Sequence, residues 1–266
     1  MNIFGRVRKV KTAAVLGCGP AGLFAAHALV GRGYEVFVFS RKRRSEMYGA
    51  QYLHAPIPGL NLDLTGRMIK YGLISGTVEG YREKVYGRQN VTVSPEQLTA
   101  PHPAWNIRLA YLEAWDLYQD KIINVPDIGP EWVQQISLKS QFDMVASSIP
   151  LPSICAHPDL HHFESREIWA IGDAPERGIF APVEMPNYTV WLHGAPDVGW
   201  YRSSNIFGYK TTEWPGGRKP PISGVSKVVK PIRTDCDCFK WIKRVGRYGT
   251  WTKGTLAHQA YHDLAR

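Results

Sequence analysis

The stretch AAVLGCGPAG at residues 13–22 decides the fold of this chain. It begins with an apolar run and continues into glycines at the spacing Gly-x-Gly-x-x-Gly. In this pattern Gly17 permits a sharp turn off a strand, Gly19 lets backbone approach a pyrophosphate, and Gly22 lets a helix pack close to the strand. The stretch therefore predicts a strand, a turn and a helix that together bind a diphosphate.

The residues around this stretch complete a β-α-β unit. Residues 12–16 are apolar and predict a strand, residues 20–30 are rich in alanine and leucine and predict a helix, and residues 34–39 predict a second strand. The first helical turn offers unpaired N–H groups and the positive end of the helix dipole to an anion. Proline suits this turn because it has no N–H to leave unsatisfied. We therefore expect the nucleotide to contact Gly17, Gly19, Pro20, Ala21 and Gly22.

Composition limits the classes of protein that the chain can belong to. It has 266 residues, 44% of them hydrophobic, and can bury a full core in one large domain or two intertwined ones. No apolar run approaches the roughly 18 residues of a membrane span. Residues 1–11 are basic and lack the apolar core of a signal peptide. These features predict a cytoplasmic protein without a membrane partner and leave its oligomeric state open.

Positive charge is concentrated in three parts of the sequence. The formal net charge is +9, and basic clusters occur at residues 6–11, 41–44 and 227–247. Such clusters favour an anionic partner, which can be a nucleotide cofactor, a nucleotide-linked substrate or nucleic acid. A solvated basic surface explains any single cluster equally well.

The four cysteines are too few and too scattered to predict a disulfide framework. Cys236 and Cys238 can form half of a metal site, but the sequence offers no second Cys/His pair at the usual zinc spacing. We therefore expect reduced cysteines and no metal.

The end of the second predicted strand leaves the nucleotide open. Dinucleotide-binding folds usually place Asp or Glu there to accept hydrogen bonds from the adenosine ribose, and this chain has Ser40 followed by Arg41. A serine can bind one ribose hydroxyl, and an adjacent arginine suits a 2′-phosphate. NADP therefore stays an alternative to FAD at this point.

The next segment favours a flavin. Residues 43–54 resemble the loop of glutathione-reductase-like flavoproteins, in which a basic residue precedes a Gly-Gly pair that lies against the cofactor. Arg43 takes the place of the basic residue, and Gly49-Ala50 takes the place of the glycine pair. The resemblance implies that Arg43, Gly49 and Ala50 contact the cofactor.

The middle of the chain predicts several further elements. Residues 55–93 predict loops and short strands, residues 105–122 a helix, and residues 136–138, 142–149 and 188–193 strands. Gly172-Asp173 follows an apolar run, as in many flavin-ribityl motifs, but about 90 residues follow it. We therefore interpret it as a strand and turn that open a substrate-binding sheet.

Three separated pieces resemble UDP-galactopyranose mutase and its amine-oxidase and protoporphyrinogen-oxidase relatives. The first is the glycine-rich turn. The second is Tyr201-Arg202 with TEWP at residues 212–215, similar to Thr-Arg and Arg-Glu-Tyr-Pro in the mutases. The third is GRYGTW at residues 246–251, similar to Gly-Arg-Leu-Gly-Thr-Tyr. The resemblance implies non-covalent FAD in an α/β fold, with a Rossmann-like FAD-binding domain and an inserted mixed α+β substrate domain.

The resemblance also implies domain bounds and residue roles. The FAD-binding domain would comprise residues 1–55, 135–165 and 224–266, and the substrate domain residues 56–134 and 166–223. Gly246, Arg247 and Gly249 would lie along the diphosphate and ribityl chain, and a terminal helix starting at Thr255-Leu256 would point N–H groups at the flavin. The candidate substrate-side residues are His54, Tyr201, Arg202 and Tyr209, of which Arg202 suits a carboxylate or phosphate.

These observations predict an FAD-dependent oxidoreductase that acts on an anionic small molecule or a nucleotide-linked substrate. Three alternatives remain at this stage: a non-redox, mutase-like flavoenzyme, an NADP-binding reductase, and a nucleic-acid-modifying flavoprotein. The nucleic-acid-modifying flavoprotein is the least favoured of the three. Two of the three basic clusters adjoin predicted cofactor turns, where the diphosphate already explains some of the positive charge.

Overall fold

The structure is a computed structural model, and it describes residues 10–60, 65–87, 89–135, 138–171 and 185–266. The predicted turn at Gly172-Asp173 lies outside the described residues. The chain divides into two units. Unit 1 comprises Met1–Arg44, Ala114–His162 and Asp235–Arg266, and unit 2 comprises Ser45–Glu113 and Phe163–Thr234. Unit 1 therefore gains residues 114–134 relative to the predicted FAD-binding domain and lacks residues 45–55, 163–165 and 224–234.

The described residues form strands and helices in an alternating order at the start of the chain and a strand-rich order after it. The strands are β1 (Lys11–Leu16), β2 (Tyr34–Ser40), β3 (Arg67–Ser75), β4 (His102–Ala104), β5 (Ile122–Asn124), β6 (Met144–Ser147), β7 (Phe163–Ile171), β8 (Thr189–His193), β9 (Arg202–Ile206), β10 (Tyr209–Pro215), β11 (Val225–Thr234) and β12 (Lys243–Arg244). The helices are α1 (Pro20–Gly31), α2 (Val78–Tyr86), α3 (Pro95–Thr99), α4 (Ile107–Tyr118), α5 (Pro130–Gln135), α6 (Leu138–Gln141), α7 (Leu151–Ile154), α8 (Gly246–Thr250) and α9 (Gln259–Leu264).

Unit 1 contains a five-stranded parallel sheet in the order β12-β6-β1-β2-β5. The central strand β1 is wholly buried from Ala13 to Leu16, as expected for a parallel strand covered on both faces. Helix α1 connects β1 to β2, and α9 packs on α1, where the Arg32 guanidinium donates to the Leu264 carbonyl at 2.9 Å. The predicted β-α-β unit is confirmed.

Unit 2 contains a seven-stranded mixed sheet in the order β11-β7-β10-β9-β8-β3-β4. Its neighbouring strands are antiparallel except for β3 and β8, which are parallel. An aromatic-rich core covers the sheet and includes the buried side chains of Tyr81 and Tyr201. The parallel sheet of unit 1 and the mixed sheet of unit 2 confirm the predicted α/β fold class with a second, mixed region.

Several element predictions are confirmed and several are wrong. The strands at residues 142–149 and 188–193 occur as β6 and β8, and the helix at residues 105–122 occurs as the shorter α4. Residues 55–93 contain the nine-residue strand β3 and the nine-residue helix α2, not only loops and short strands. Thr77 caps α2 by accepting from the Gly80 N–H at 3.0 Å. Leu138 begins a helix, and residues 136–137 of that predicted strand lie outside the described residues.

The C-terminal segment also differs from its prediction. The Gly-Arg turn is the first part of helix α8, and the terminal helix begins at Gln259 instead of Thr255. The Gln259 Oε1 accepts from the Leu256 N–H at 2.6 Å, so the helix starts after this local turn. In the described part of the chain, no helix is both long enough and apolar enough to cross a bilayer.

Helix α1 lies unusually close to strand β1 because Gly22 has no side chain. A Cβ on Gly22 would stand 1.9 Å from the Gly17 carbonyl oxygen, far inside van der Waals contact. Gly31, at the other end of the same helix, would have no atom within 4 Å of an added Cβ. The close contact is therefore confined to the N-terminal end of α1.

We expect Gly22→Ala to lower the free energy of unfolding by about 1–3 kcal/mol, because the added methyl must displace backbone. Gly31→Ala is the matched control in the same helix, and it should be neutral or stabilising by up to about 1 kcal/mol. Urea denaturation of both variants measures the difference. Equal stabilities of the two variants would contradict the close packing.

Candidate functional site

The strand order of unit 1 reverses at the central strand β1. The chain leaves β1 through α1 to β2 on one side, and β6 lies on the other side of β1. The strands on both sides are parallel to β1, so their carboxyl ends share one edge. In open α/β sheets ligands bind outside the carboxyl ends of the strands where the strand order reverses. The glycine-rich turn lies at this point.

The turn itself is fixed by backbone contacts. Gly17 has a φ of +94°, a conformation that favours glycine, and its N–H donates to the Phe39 carbonyl of β2 at 2.9 Å. On the other side, the Ser148 N–H donates to the Leu16 carbonyl at 2.9 Å and the Ser148 Oγ donates to the same oxygen at 3.2 Å. The ends of β1, β2 and β6 are therefore held together around the turn.

The N-terminus of α1 has the features of an anion-binding site. Gly19 is the capping residue, with φ −69° and ψ 175°, and it supplies no side-chain acceptor. Pro20 follows at the first helical position, and the first turn contains no acidic residue. Within the described residues, the N–H groups of this turn therefore have no side-chain cap. A diphosphate bound there would accept from them and interact favourably with the helix dipole.

The C-terminal glycine motif packs directly on this turn, although it is more than 200 residues away in the sequence. Gly246 has a φ of +66°, and a Cβ there would lie 2.4 Å from the Ala21 Cβ. A Cβ on Gly249 would lie 2.3 Å from the Ser147 carbonyl oxygen at the end of β6. The structure thus brings the two predicted cofactor-binding motifs together, and Arg247 lies between these two contacts.

The predicted ribose end lies beside the same turn. The Cys18 thiol lies 3.4 Å from the carbonyl oxygens of Arg41 and Arg43, which places that loop against the turn. Ser40 ends β2, paired with Asn124 of β5. The Arg41 Nε donates to the Pro126 carbonyl at 2.5 Å. Ser40, Arg41 and Arg43 are therefore close to the place where the resemblance puts the adenosine.

The predicted start of the terminal helix at Thr255-Leu256 needs correction, and the predicted contacts of Gly49 and Ala50 with the cofactor stay predictions. Thr255 and Leu256 do not begin a helix, and the Leu256 N–H is already bound by the Gln259 side chain. Gly49 and Ala50 belong to unit 2, where they contact a carboxylate: the Ala50 N–H donates to Glu213 Oε1 at 3.2 Å. A Cβ on Gly49 would lie 2.0 Å from that same oxygen, so the glycine permits this contact.

Glu213 is the centre of a buried charged network in unit 2. Its side chain is 1% exposed, and it accepts hydrogen bonds from the Arg202 guanidinium, from Lys230 Nζ at 2.8 Å and from the Tyr201 hydroxyl at 2.5 Å. Arg202 lies in β9, Lys230 lies in β11, and Tyr201 directly precedes β9. The carboxylate therefore joins strands on both sides of β10. Two of the four predicted substrate-side residues, Tyr201 and Arg202, thus meet at one group.

Burial raises the pKa of the Glu213 carboxyl, but the charges of Arg202 and Lys230 outweigh it and hold that pKa well below its usual range. Glu213 is therefore ionised at neutral pH. The charge of Arg202 also acts on Tyr71, where it partly offsets the rise in pKa that burial causes. The Tyr71 hydroxyl lies 3.0 Å from that of Tyr52.

The other two predicted substrate-side residues lie in different surroundings. His54 stacks on Tyr52 with ring centroids 4.5 Å apart, and burial and the nearby His102 lower its pKa. Tyr209 lies under the Arg108 guanidinium, 4.2 Å from the ring centroid. Catalytic roles for His54, Tyr201, Arg202 and Tyr209 stay predictions.

Several residues of the site were not found from the sequence. In the sequence, Glu213 belongs to the mutase-like motif at residues 212–215, and Lys230 belongs to the third basic cluster. A signal for Glu213 exists, since it is the acidic residue in the otherwise uncharged run TTEWP at residues 211–215. The Cys236 and Cys238 pair, expected to lack metal-site partners, lies beside Cys155 and His161.

No protein-family model and no curated protein matches the chain. Solved structures do match. The structure of 2,6-dihydroxypyridine-3-hydroxylase from Arthrobacter nicotinovorans is 12% identical at a TM-score of 0.51, and the match covers 96% of this chain and 82% of that chain. HpxO of Klebsiella pneumoniae, solved with FAD, is 11% identical at a TM-score of 0.49 over 96% and 79% of the two chains. The flavin-dependent halogenase BrvH from Brevundimonas sp. BAL3 is 11% identical at 0.49 over 96% and 70%. The likeness to the hydroxylase shows a shared fold.

We expect Glu213→Gln to lower the free energy of unfolding by about 3–5 kcal/mol, because it leaves two buried cations without their anion. Glu167→Gln is the matched control: Glu167 lies on a neighbouring strand of the same sheet, and its pair with Lys227, 2.6 Å apart, is about half exposed. That control should change stability by less than about 1 kcal/mol. Urea denaturation at pH 7 measures both.

The wild type and Glu213→Gln also test how the stabilisation by Glu213 depends on pH. Since the folded-state pKa of Glu213 is lowered, its stabilisation is complete above the unfolded carboxyl pKa of about 4.3 and is lost as the pH falls below it. The stability gap between the wild type and Glu213→Gln should therefore narrow below about pH 4. A gap that stays constant down to the acid transition would contradict an ionised Glu213.

Proposed function

We propose that the protein is an FAD-dependent oxidoreductase whose unit 1 binds the ADP part and the diphosphate of FAD. The observation that carries this proposal is the packing of Gly246 against Ala21, the residue after Pro20 at the start of α1. Two glycine-rich segments from opposite ends of the chain thus approach one helix N-terminus. The second segment offers backbone along which the part of an extended dinucleotide beyond its diphosphate can lie.

The residues of this edge have distinct tasks in the proposed site. The N–H groups of the first turn of α1 hold the diphosphate, and the glycines let backbone approach it. Ser40 accepts or donates one hydrogen bond at the ribose, and residues 246–249 lie along the ribityl chain. The flavin supplies the redox chemistry when it is bound, and the protein positions it and the substrate.

A redox reaction is favoured over a mutase-like rearrangement. One solved structure that shares the fold, at a TM-score of 0.51, is named as a hydroxylase, and this supports an oxidoreductase. The substrate class is proposed as an anionic small molecule, since the candidate substrate-side residue Arg202 is a partly exposed cation, whereas burial lowers the pKa of Lys230. The resemblance to the UDP-galactopyranose mutase group stays a prediction.

The third basic cluster supports nucleic-acid binding less than its charge suggests, because several of its side chains pair with acidic residues or carbonyls of the protein. Lys227, Arg233 and Lys240 form ion pairs with acidic residues at 2.5–2.7 Å, and Arg244 donates to two carbonyls at 2.6 and 2.7 Å. Lys230 is buried on Glu213. An NADP-binding reductase is the second candidate, favoured by the exposed Arg41 after Ser40.

The identity of the cofactor released from the purified protein tests the proposal. We expect the purified protein to be yellow and, after denaturation, to release FAD in a ratio of about one per chain, measured by mass spectrometry and absorbance. Calorimetric titration of the cofactor-free protein with FAD and with NADPH then compares the two nucleotides. A colourless protein that cannot be reconstituted with FAD but binds NADPH would replace the proposal with the second candidate.

Substitution of Gly19 separates helix stability from anion binding. Its backbone conformation accepts other residues, and Asp and Asn are both good capping residues that change helix stability by only a few tenths of a kcal/mol relative to Gly. Gly19→Asp should therefore leave stability unchanged or slightly raised while it abolishes FAD binding, because its carboxylate repels the diphosphate.

Gly19→Asn is the control for added bulk without charge. It should bind FAD more weakly than the wild type and at least about tenfold more tightly than Gly19→Asp, the factor expected for about 1.4 kcal/mol of charge repulsion. Equal FAD affinities of the Asp and Asn variants would show that the diphosphate does not lie at this helix end.

A further inference from the structure

Three sulfur atoms and one imidazole meet in unit 1, away from the glycine-rich turn. The ligand atoms of Cys155, His161, Cys236 and Cys238 all lie within 4.8 Å of one another. Cys155 and Cys236 are buried, and Cys238 and His161 are partly exposed. The sequence alone hid this group, because the two cysteines on one side are more than 80 residues from Cys155.

Four of the six distances between the ligand atoms are close to the edges of a metal-centred tetrahedron, and the other two are below 4.8 Å. With zinc–sulfur bonds of about 2.3 Å and a zinc–nitrogen bond of about 2.0 Å, a tetrahedral site has edges of about 3.8 Å between sulfurs and about 3.5 Å between sulfur and nitrogen. The Cys155 sulfur lies 3.6 Å from that of Cys236 and 3.8 Å from that of Cys238. The His161 Nδ1 lies 3.3 Å and 3.9 Å from the sulfurs of Cys155 and Cys238.

We infer that Cys155, His161, Cys236 and Cys238 form a structural zinc site. Three thiolates and one imidazole are a donor set typical of closed, four-coordinate zinc. Soft sulfur ligands favour zinc over magnesium or calcium, which prefer oxygen. Each thiol loses its proton to solvent when the ion binds.

The surrounding residues support coordination. The His161 Nε2 lies 3.6 Å from Asp237 Oδ1, so the carboxylate can hold the proton of the ring nitrogen that does not bind the ion. The His161 Nδ1 lies 3.1 Å from the His157 carbonyl, and coordination requires its proton to move to Nε2. Asp237 is thus a positioning residue for His161.

A cation offsets the negative charge of the thiolates from the other side. The Arg244 guanidinium donates to the carbonyls of Cys236 and Cys238 at 2.7 and 2.6 Å and lies 3.9 Å from the Cys236 sulfur. Three thiolates and one divalent ion carry a net charge of about −1, which one arginine balances. The same bonds fix the turn that carries both cysteines.

The position of the site in the chain indicates its task. Phe163–Thr234 is the second segment of unit 2; it begins with β7 and ends with β11, and Phe163 pairs with Thr234. Cys155 and His161 precede this segment, and Cys236 and Cys238 follow it. An ion bound to all four would hold the two ends of the segment together, which lowers the entropy of the unfolded chain as a crosslink does.

A disulfide is the competing use of the same cysteines. The two sulfur–sulfur distances are nearly equal and far longer than the 2.05 Å of a disulfide bond. A disulfide would also use only two of the three sulfurs, and it would not explain why the third sulfur and the His161 imidazole lie beside them. The arrangement of four ligand atoms therefore favours an ion.

Metal analysis of the full-length protein, produced with zinc in the medium and purified in a reducing buffer without chelator, tests the site. We expect about one zinc per chain in the wild type, and loss of most of it in Cys238→Ser, the more exposed of the cysteine ligands. Cys18→Ser is the matched control, since Cys18 is the cysteine outside the cluster, and it should retain its zinc.

If Cys238→Ser fails to fold, two measurements on the wild type still test the zinc site. After zinc removal, cobalt should produce the intense visible bands of a tetrahedral thiolate complex, and chelator should lower the melting temperature of the zinc-loaded protein. Asp237→Asn should weaken zinc affinity about tenfold or more without removing a ligand.

Three results would overturn the inference. The first is a reduced wild-type protein that takes up neither zinc nor cobalt. The second is a Cys155–Cys236 disulfide in the isolated protein, found by mass spectrometry, with no metal uptake after reduction. The third is equal loss of zinc in Cys18→Ser and Cys238→Ser.

Discussion

The close approach of helix α1 to strand β1 is the constraint on which the rest of unit 1 depends. It exists because Gly22 lets the helix come within contact of the Gly17 carbonyl, a distance that any Cβ would prevent. The approach fixes the N-terminus of α1 at the carboxyl edge of the sheet. There Ser148 of the β6 end closes on Leu16, and Gly246 packs on Ala21. The proposed diphosphate site rests on this geometry and on backbone N–H groups, and it requires no charged side chain.

Local patterns predicted the parts of the fold in which each residue acts on its near neighbours. Gly17 indicates a turn, and Gly22 indicates a close contact between helix and strand, all within six residues. The β-α-β unit and its approximate bounds could therefore be predicted. The terminal helix was placed too early because a single side chain, Gln259, binds the Leu256 N–H and delays it. Periodicity does not encode such a bond.

Contacts between distant segments explain what the sequence did not reveal. Glu213 owes its environment to Arg202 and Lys230, which the pairings β9–β10, β10–β7 and β7–β11 bring near it, and to the loop at Gly49, which a hydrogen bond holds. The four metal-ligating residues meet because β7 and β11 pair and return the chain to its starting point. Hydrophobic patterns indicate that such strands form and restrict the register of a given pair, but they do not specify which strands pair.

The measurement that tests the account most directly is an experimental structure of the protein with the nucleotide that it retains through purification. The account predicts density for FAD, with its diphosphate at the N-terminus of α1 and its ribityl chain beside residues 246–249. Density for a nucleotide at another place, or a site at this edge that holds only NADP with its 2′-phosphate on Arg41, would contradict it.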